Sequence, residues 1–192
     1  MRAFTFENAT KIYFGGGCVK EHLLEAVKPY GETVMLAYGG GSIKTNGIYQ
    51  EVMDVLKLAG KQVIEFSGIM PNPTYSKVME GKKVVQENQV DLILAVGGGS
   101  VMDCSKAISM AAATDKDVWE EYWIKKGEID FEPVPVGVIV TVVGTGSEVN
   151  GEGVITHEEQ KIKTSRNYPR CNPVFAMMDP KYTYTVSPLQ TA

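Results

Sequence analysis

Residues 91–106, DLILAVGGGSVMDCSK, join an apolar run to a helical pattern through three glycines and a serine. The run 91–96 is apolar on both faces, which predicts a strand buried from both sides, as in a parallel sheet flanked by helices. The pattern after it, SVMDCSKAISMAAA, predicts an amphipathic helix. Glycines at such a joint let the backbone take positive φ angles and let a ligand approach with no Cβ in the way. A helix that opens at once turns its unpaired N–H groups and the positive end of its dipole toward the same spot. Gly97, Gly98, Gly99 and Ser100 are therefore predicted to form an anion site, and a pyrophosphate is the natural guest.

The same device stands upstream, where TVMLAY (33–38) runs into Gly39, Gly40, Gly41 and Ser42. In a dinucleotide site that prefers NAD, an acidic side chain near a strand end bonds the ribose 2′-hydroxyl, whereas NADP needs that charge removed and donors supplied. This strand end offers glycines, a serine and Lys44 with no Asp or Glu, which points to NADP over NAD. A third turn, TVVGTGSEVN (141–150), brings Thr141, Thr145 and Ser147 as hydrogen-bonding groups for ribose or amide, while Gly144 and Gly146 keep the backbone thin. None of the three is a GxGxxG followed by an acid about 20 residues later, so the ordinary Rossmann fingerprint is missing.

Between the turns, the apolar runs 33–38, 62–67, 91–96 and 136–143 alternate with helical patterns. IYQEVMDVLKLAG places Ile48, Val52, Val55, Leu56 and Ala59 at helical spacing and stops at Gly60. TYSKVMEGKKVVQEN repeats the pattern with Val78, Val84 and Val85, and Gly81 is the weak point in its middle. The alternation predicts the α/β class, a Rossmann-like mostly parallel sheet with helices on both faces and the turns aligned on one sheet edge. GSEVNGEGVITHEEQKIKTSR predicts a β-hairpin appended to the sheet. PVFAMMDPKYTYTVSPLQTA predicts one more short strand and the start of a helix at its end.

A chain of 192 residues can form one generous domain. A net charge of −4 with scattered lysines and arginines gives no reason to expect nucleic acid or a membrane surface as partner. No apolar stretch approaches the roughly 20 residues that span a bilayer, and the N-terminus lacks the layout of a signal peptide, so a cytoplasmic location is expected. Cys18, Cys104 and Cys171 suggest neither a disulfide framework nor a zinc knuckle. His22 and His157 have no partner at ligand spacing and read as ordinary polar residues.

VGGGSVMDCSK, TVVGTGSEVN and MMDPKYTYTVSPLQTA, in this order, resemble the iron-containing (group III) alcohol dehydrogenase family. YGGGSIKTNGIYQEV looks like its NADP-using butanol dehydrogenase branch, and the resemblance runs from FTFENATKIYFGGG to the last residue. It implies that residues 1–192 are a dehydroquinate synthase-like N-terminal domain holding NADP, with NAD possible, in an enzyme about twice this length. The implied C-terminal helical domain, absent from this chain, holds iron or zinc through one Asp and three His that begin just past SPLQTA. Within this chain the resemblance implies Gly97, Gly98, Gly99 and Ser100 on the pyrophosphate with Asp103 nearby, and Gly39, Gly40 and Ser42 on the 2′-phosphate. It also implies Thr141 and Thr145 along the adenine or nicotinamide portions, and Lys163 reaching the cofactor from the hairpin, with Lys161 as the alternative. The implied activity is hydride transfer between nicotinamide and a small alcohol or aldehyde, with the metal as Lewis acid and with no catalytic residue in this half, so the chain alone is expected to be inactive. A homodimer through an edge strand in FTFENATKIYFG is a further expectation. A glycerol dehydrogenase-like relative and a non-catalytic nucleotide-binding module are the competing readings.

Overall fold

The computed structural model describes residues 8–186. Six strands form one sheet: β1 (Lys11–Phe14), β2 (Thr33–Tyr38), β3 (Gln62–Phe66), β4 (Leu92–Gly97), β5 (Val136–Val140) and β8 (Phe175–Met178). Every pairing in it is parallel, and the order across the sheet is β1-β8-β5-β4-β2-β3. Helices α1 (Cys18–Val27), α2 (Ser42–Thr45), α3 (Ile48–Leu58), α4 (Tyr75–Glu87) and α5 (Gly99–Ala112) occupy the connections.

Alternation along the strands divides the core in two. Val34, Leu36, Leu92 and Leu94 share one layer with α1 and α3, and Met35, Ala37, Ile93 and Ala95 share the other with α4 and α5. Leu36, Leu92, Ile93 and Leu94 are fully buried, and burial of each such side chain stabilises by about 1.5–3 kcal/mol. The helix after β2 and the helix after β4 thus lie on opposite faces, although β2 and β4 are neighbours. Successive strands are added outward in opposite directions from this pair, β2 to β3 on one side and β4 to β5 on the other, which makes a topological switch point there.

Local signals account for the helix limits. Helix α3 covers the predicted segment and ends before Gly60, which adopts a left-handed φ of +69°. Helix α4 opens on Thr74, whose Oγ1 accepts the N–H of Lys77 at 3.3 Å, a cap worth about 1 kcal/mol. Gly81 in its middle proves to be a packing device. A Cβ there would lie 2.3 Å from Cδ1 of Ile108 on α5, so the missing side chain is what lets the two helices touch.

Three expectations are revised. Strand β5 ends at Val140 rather than at residue 143, and Val142 and Val143 are exposed in the turn that follows. The hairpin forms, as β6 (Glu152–His157) and β7 (Ile162–Asn167), but as its own antiparallel sheet packed on α5 instead of an extension of the main sheet. Helix α5 is buried along nearly all its length, since its small Cys, Ser and Ala side chains admit neighbours all round and Asp103, Lys106 and Ser109 bond to groups of the protein, so it has no solvent face. The expected N-terminal strand is β1, at the sheet edge, with Ile12 and Phe14 exposed. The helix predicted at the chain's end lies outside the described residues beyond a short 3-10 turn, Pro180–Thr183.

Candidate dinucleotide site

The pairing of β2 with β4 sets Tyr38 opposite Val96, so the turns 39–42 and 97–100 leave the sheet side by side at its C-terminal edge. Strand β5 lies next to β4, and the N–H of Thr141 donates to the carbonyl of Gly97 at 3.0 Å. Three glycine-bearing turns from adjacent strands therefore line one edge.

At the central turn the glycines serve space rather than dihedral freedom. Gly97, Gly98 and Gly99 all avoid the left-handed region, so the expectation of positive φ there is corrected. A Cβ on Gly97 would meet Cγ2 of Val101 at 2.5 Å, one on Gly98 would meet Cβ of Val142 at 3.1 Å, and one on Gly99 would meet the Thr145 side chain at 2.8 Å. The third turn thus lies directly against the start of α5. The N–H groups of Val101 and Met102 both turn to the Gly98 carbonyl, at 3.0 and 3.2 Å. Those of Gly99 and Ser100, at the helix start, have no carbonyl one turn earlier to bond and point out of its end. This end of α5 can receive an anion. At the upstream turn Gly41 does take a left-handed φ, +99°, and Gly40 has open space where a Cβ would go. Gly39 touches the loop after β3, where its carbonyl accepts the N–H of Gly68 at 3.0 Å.

Asp103 and Ser147 are occupied by the protein itself. The Asp103 carboxylate accepts the Ser147 hydroxyl at 2.5 Å and the N–H of Val154 at 3.1 Å, which ties the third turn and the hairpin to α5. Lys106, one helical turn on, donates to the carbonyl and hydroxyl of Ser147 at 3.0 and 2.7 Å and to the carbonyl of Asn150 at 3.0 Å. Burial pushes its ammonium down to about 8 against the pull of Asp103. Ser147 is thus a buried strut, contrary to its expected role on a ribose. Thr145 is exposed and Thr141 half-buried beside the glycines.

The upstream turn has a carboxylate beside it after all. Glu65, near the end of β3, accepts the hydroxyls of Tyr38 at 2.5 Å and Tyr49 at 2.7 Å, and Lys44 Nζ at 3.0 Å. Those donors hold its carboxyl down to about 2, the Tyr38 hydroxyl first among them. The expectation that no acid stands near this strand end is corrected: the acid comes from the neighbouring strand, which linear spacing did not show. Lys163 on β7 reaches the same side of the molecule and donates to Asn72 Oδ1 at 2.6 Å. Asn72 sits in the loop after β3 with a left-handed φ of +55°.

Beyond the third turn, at the ends of β1, β5 and β8, lies an apolar hollow of about 190 Å³ walled by Phe14, Val140, Val143, Met178 and Pro180. Among the described residues no three His, Cys, Asp or Glu side chains converge on a point that would hold a metal. His22 stacks on Tyr13, and His157 stacks on Tyr75 while its Nδ1 accepts the N–H of Gln160. These residues do not fit a metal centre. No helix among the described residues is long and apolar enough to cross a membrane.

Six parallel strands with helices on both faces, and paired glycine turns at the switch point, define a doubly wound α/β domain. The chain belongs to the iron-containing alcohol dehydrogenase family, whose profile matches residues 9–180. It is 45% identical over 186 residues to "Probable NADH-dependent butanol dehydrogenase 1" of Bacillus subtilis, covering 97% of this chain and 47% of that protein. It is 39% identical to "NADPH-dependent aldehyde reductase YqhD" of Escherichia coli, covering 100% of this chain and 49% of that protein. The crystal structure of NADH-dependent butanol dehydrogenase A from Thermotoga maritima superposes with a TM-score of 0.92 at 38% identity, over 100% of this chain and 48% of that one. The chain spans about half the length of the curated relatives it matches.

Proposed function

We propose that this chain is the cofactor-holding half of an NADP-dependent alcohol dehydrogenase or aldehyde reductase acting on small alcohols and aldehydes. The placement of the two Gly-Gly-Gly-Ser turns side by side at the switch point supports this most directly. Ligands of doubly wound sheets lie at that crevice. The pyrophosphate rests on Gly97, Gly98, Gly99 and Ser100, and the adenosine ribose with its 2′-phosphate rests on Gly39, Gly40 and Ser42. Thr141 and Thr145 line the path toward the apolar hollow, and Lys163, held by Asn72, reaches in from the hairpin. Asp103 acts at one remove, by fixing the third turn through Ser147.

When bound, the nicotinamide supplies or accepts the hydride. The residues here bind and orient the dinucleotide and keep its phosphates on backbone donors. They supply no metal ligands and no acid or base at a reacting carbon. The names of the relatives, which cite both NADH and NADPH, support a nicotinamide cofactor and leave the preference for NADP resting on the upstream turn, where residues 39–42 carry no charge and the nearby Glu65 is neutralised by Lys44. A cytoplasmic homodimer joined along the exposed edge of β1 completes the proposal.

Equilibrium titration of the purified chain with NADPH and with NADH, followed by quenching of tryptophan emission, tests it. Saturable binding with NADPH tighter is expected. Equal affinity would refute the NADP assignment, and binding of neither would refute the site.

A further inference from the structure

We propose that Glu65 sets how strongly the upstream turn favours a 2′-phosphorylated dinucleotide, by holding the Lys44 ammonium in a neutral pair. This rests on the assignment of that turn to the adenosine ribose.

The geometry makes Glu65 the centre of a four-residue cluster. Tyr38, the residue just before Gly39, and Tyr49 on α3 each give a hydroxyl to its carboxylate, and Lys44 on α2 gives its ammonium. The Lys44 nitrogen also sits 4.5 Å from the centre of the Tyr49 ring and 5.3 Å from that of Tyr38. Lys44 follows Ser42 by two residues and belongs to the helix that the glycine turn opens. It is the cation nearest in sequence to the proposed 2′-phosphate position, yet it is turned toward the edge strand and its charge is cancelled there. The other groups that face it are the two phenols. Both charged side chains remain partly exposed, at 46% and 41%, so their fields reach the solvent from which a ligand would bind. The carboxylate has three donors within 3.0 Å, which keeps it ionised whether or not the lysine is present.

A 2′-phosphate brings about 1.5 to 2 negative charges that NADH lacks. As it stands the turn meets that charge with N–H groups, a hydroxyl and a cancelled lysine, and so discriminates only modestly. Glu65→Gln keeps a hydrogen-bonding oxygen for the tyrosines and removes the negative charge, leaving Lys44 uncompensated beside the turn. Lys44→Met does the opposite and leaves the carboxylate uncompensated. Over roughly one Debye length near the surface, one unit of charge should change the affinity ratio for NADPH over NADH by about three- to tenfold.

The test measures that ratio in the wild type, Glu65→Gln, Lys44→Met, the double variant and Gly40→Asp. Glu65→Gln should raise the ratio about three- to tenfold, Lys44→Met should lower it by a like factor, and the double variant should return within about twofold of the wild type. In 0.5 M salt, as a chosen condition, the single-variant shifts should shrink while binding of NADH stays nearly unchanged. A merely structural role for the cluster would weaken both cofactors together and leave the ratio alone. If Gly40→Asp moves the ratio and neither Glu65→Gln nor Lys44→Met does, the charge cluster is not a specificity device and this inference fails alone. If Gly40→Asp is silent as well, the turn is not the adenosine site and both statements fall.

Discussion

Tyr38 and Val96 stand opposite each other in the pairing of β2 with β4, and each is followed at once by a glycine. Two turns of the same composition are thereby set a strand's width apart, about 4.8 Å, with their helices on opposite faces of the sheet. One strand end alone gives a tight turn. Two neighbours at a reversal of strand order give a crevice with backbone donors on both sides, which suits a ligand with phosphates at two positions.

Substitutions in the two turns should separate architecture from binding. Gly97→Ala places a Cβ 2.5 Å from Cγ2 of Val101, and overpacking of this kind costs about 1–3 kcal/mol with or without cofactor. Gly40→Asp meets nothing within 4 Å and sits outside the left-handed region, so its stability should stay within about 0.5 kcal/mol of wild type. It should nevertheless weaken NADPH more than NADH by repelling the 2′-phosphate. Urea unfolding and cofactor titration of both variants check this, and a destabilised Gly40→Asp or an unchanged NADPH-to-NADH ratio would contradict it.

The contact of α4 with α5 predicts an inverted effect of a helix-favouring change. Gly81→Ala should gain up to about 1 kcal/mol in helix propensity. It also drives a Cβ to 2.3 Å from a fully buried Ile108, at a cost of about 1–3 kcal/mol. Net destabilisation is expected in denaturant unfolding, with partial rescue by Ile108→Val in the same chain. A Gly81→Ala variant more stable than wild type would show that the helices are not in close contact there.

Stability should pass through a shallow maximum near pH 9. Burial lowers Lys106 from 10.5 to about 8, so between those values the unfolded chain binds a proton that the folded chain does not, and stability rises with pH. Burial raises the thiols of Cys104 and Cys171 from 9.0 to about 12. Above pH 9 the unfolded thiols lose protons that the folded ones keep, and stability falls. Each group contributes a slope of up to about 1.4 kcal/mol per pH unit, so two falling thiols outweigh one rising lysine. Urea unfolding with reductant present, from pH 7 to 10.5 as the chosen range, should show the maximum. Lys106→Met should remove the rising limb and keep the fall. A monotonic fall from pH 7 in the wild type would mean that Ser147, Asn150 and Asp103 keep the ammonium charged.

Much of the fold could be read from the sequence because its signals are local. The apolar runs at 33–38 and 91–96 carry their own strand pattern, and Gly60 ends its helix by a backbone property of one residue. The central strands therefore fell in place, and so did the glycine turns. What escaped depended on side chains meeting across the fold. Gly81 looks like a weak helix position until Ile108 is seen against it. Ser147 looks like a free hydroxyl until Asp103 and Lys106 enclose it, although the Asp-to-Lys spacing of one helical turn inside an otherwise small and apolar helix was a usable sign. Glu65 stands more than 20 residues along the chain from the turn beside it, and only parallel pairing of β3 with β2 brings it there. Its one sequence signal was a charge inside the short strand QVIEF.

The most direct test of the central claim is a backbone amide NMR titration of the chain with NADPH. If the two turns hold one dinucleotide, the amides of residues 39–42 and 97–100 should shift together along a single saturation curve, with those of β6 and β7 away from Lys163 left unmoved. Shifts at only one of the turns, or at neither, would contradict the assignment of both to a single bound cofactor.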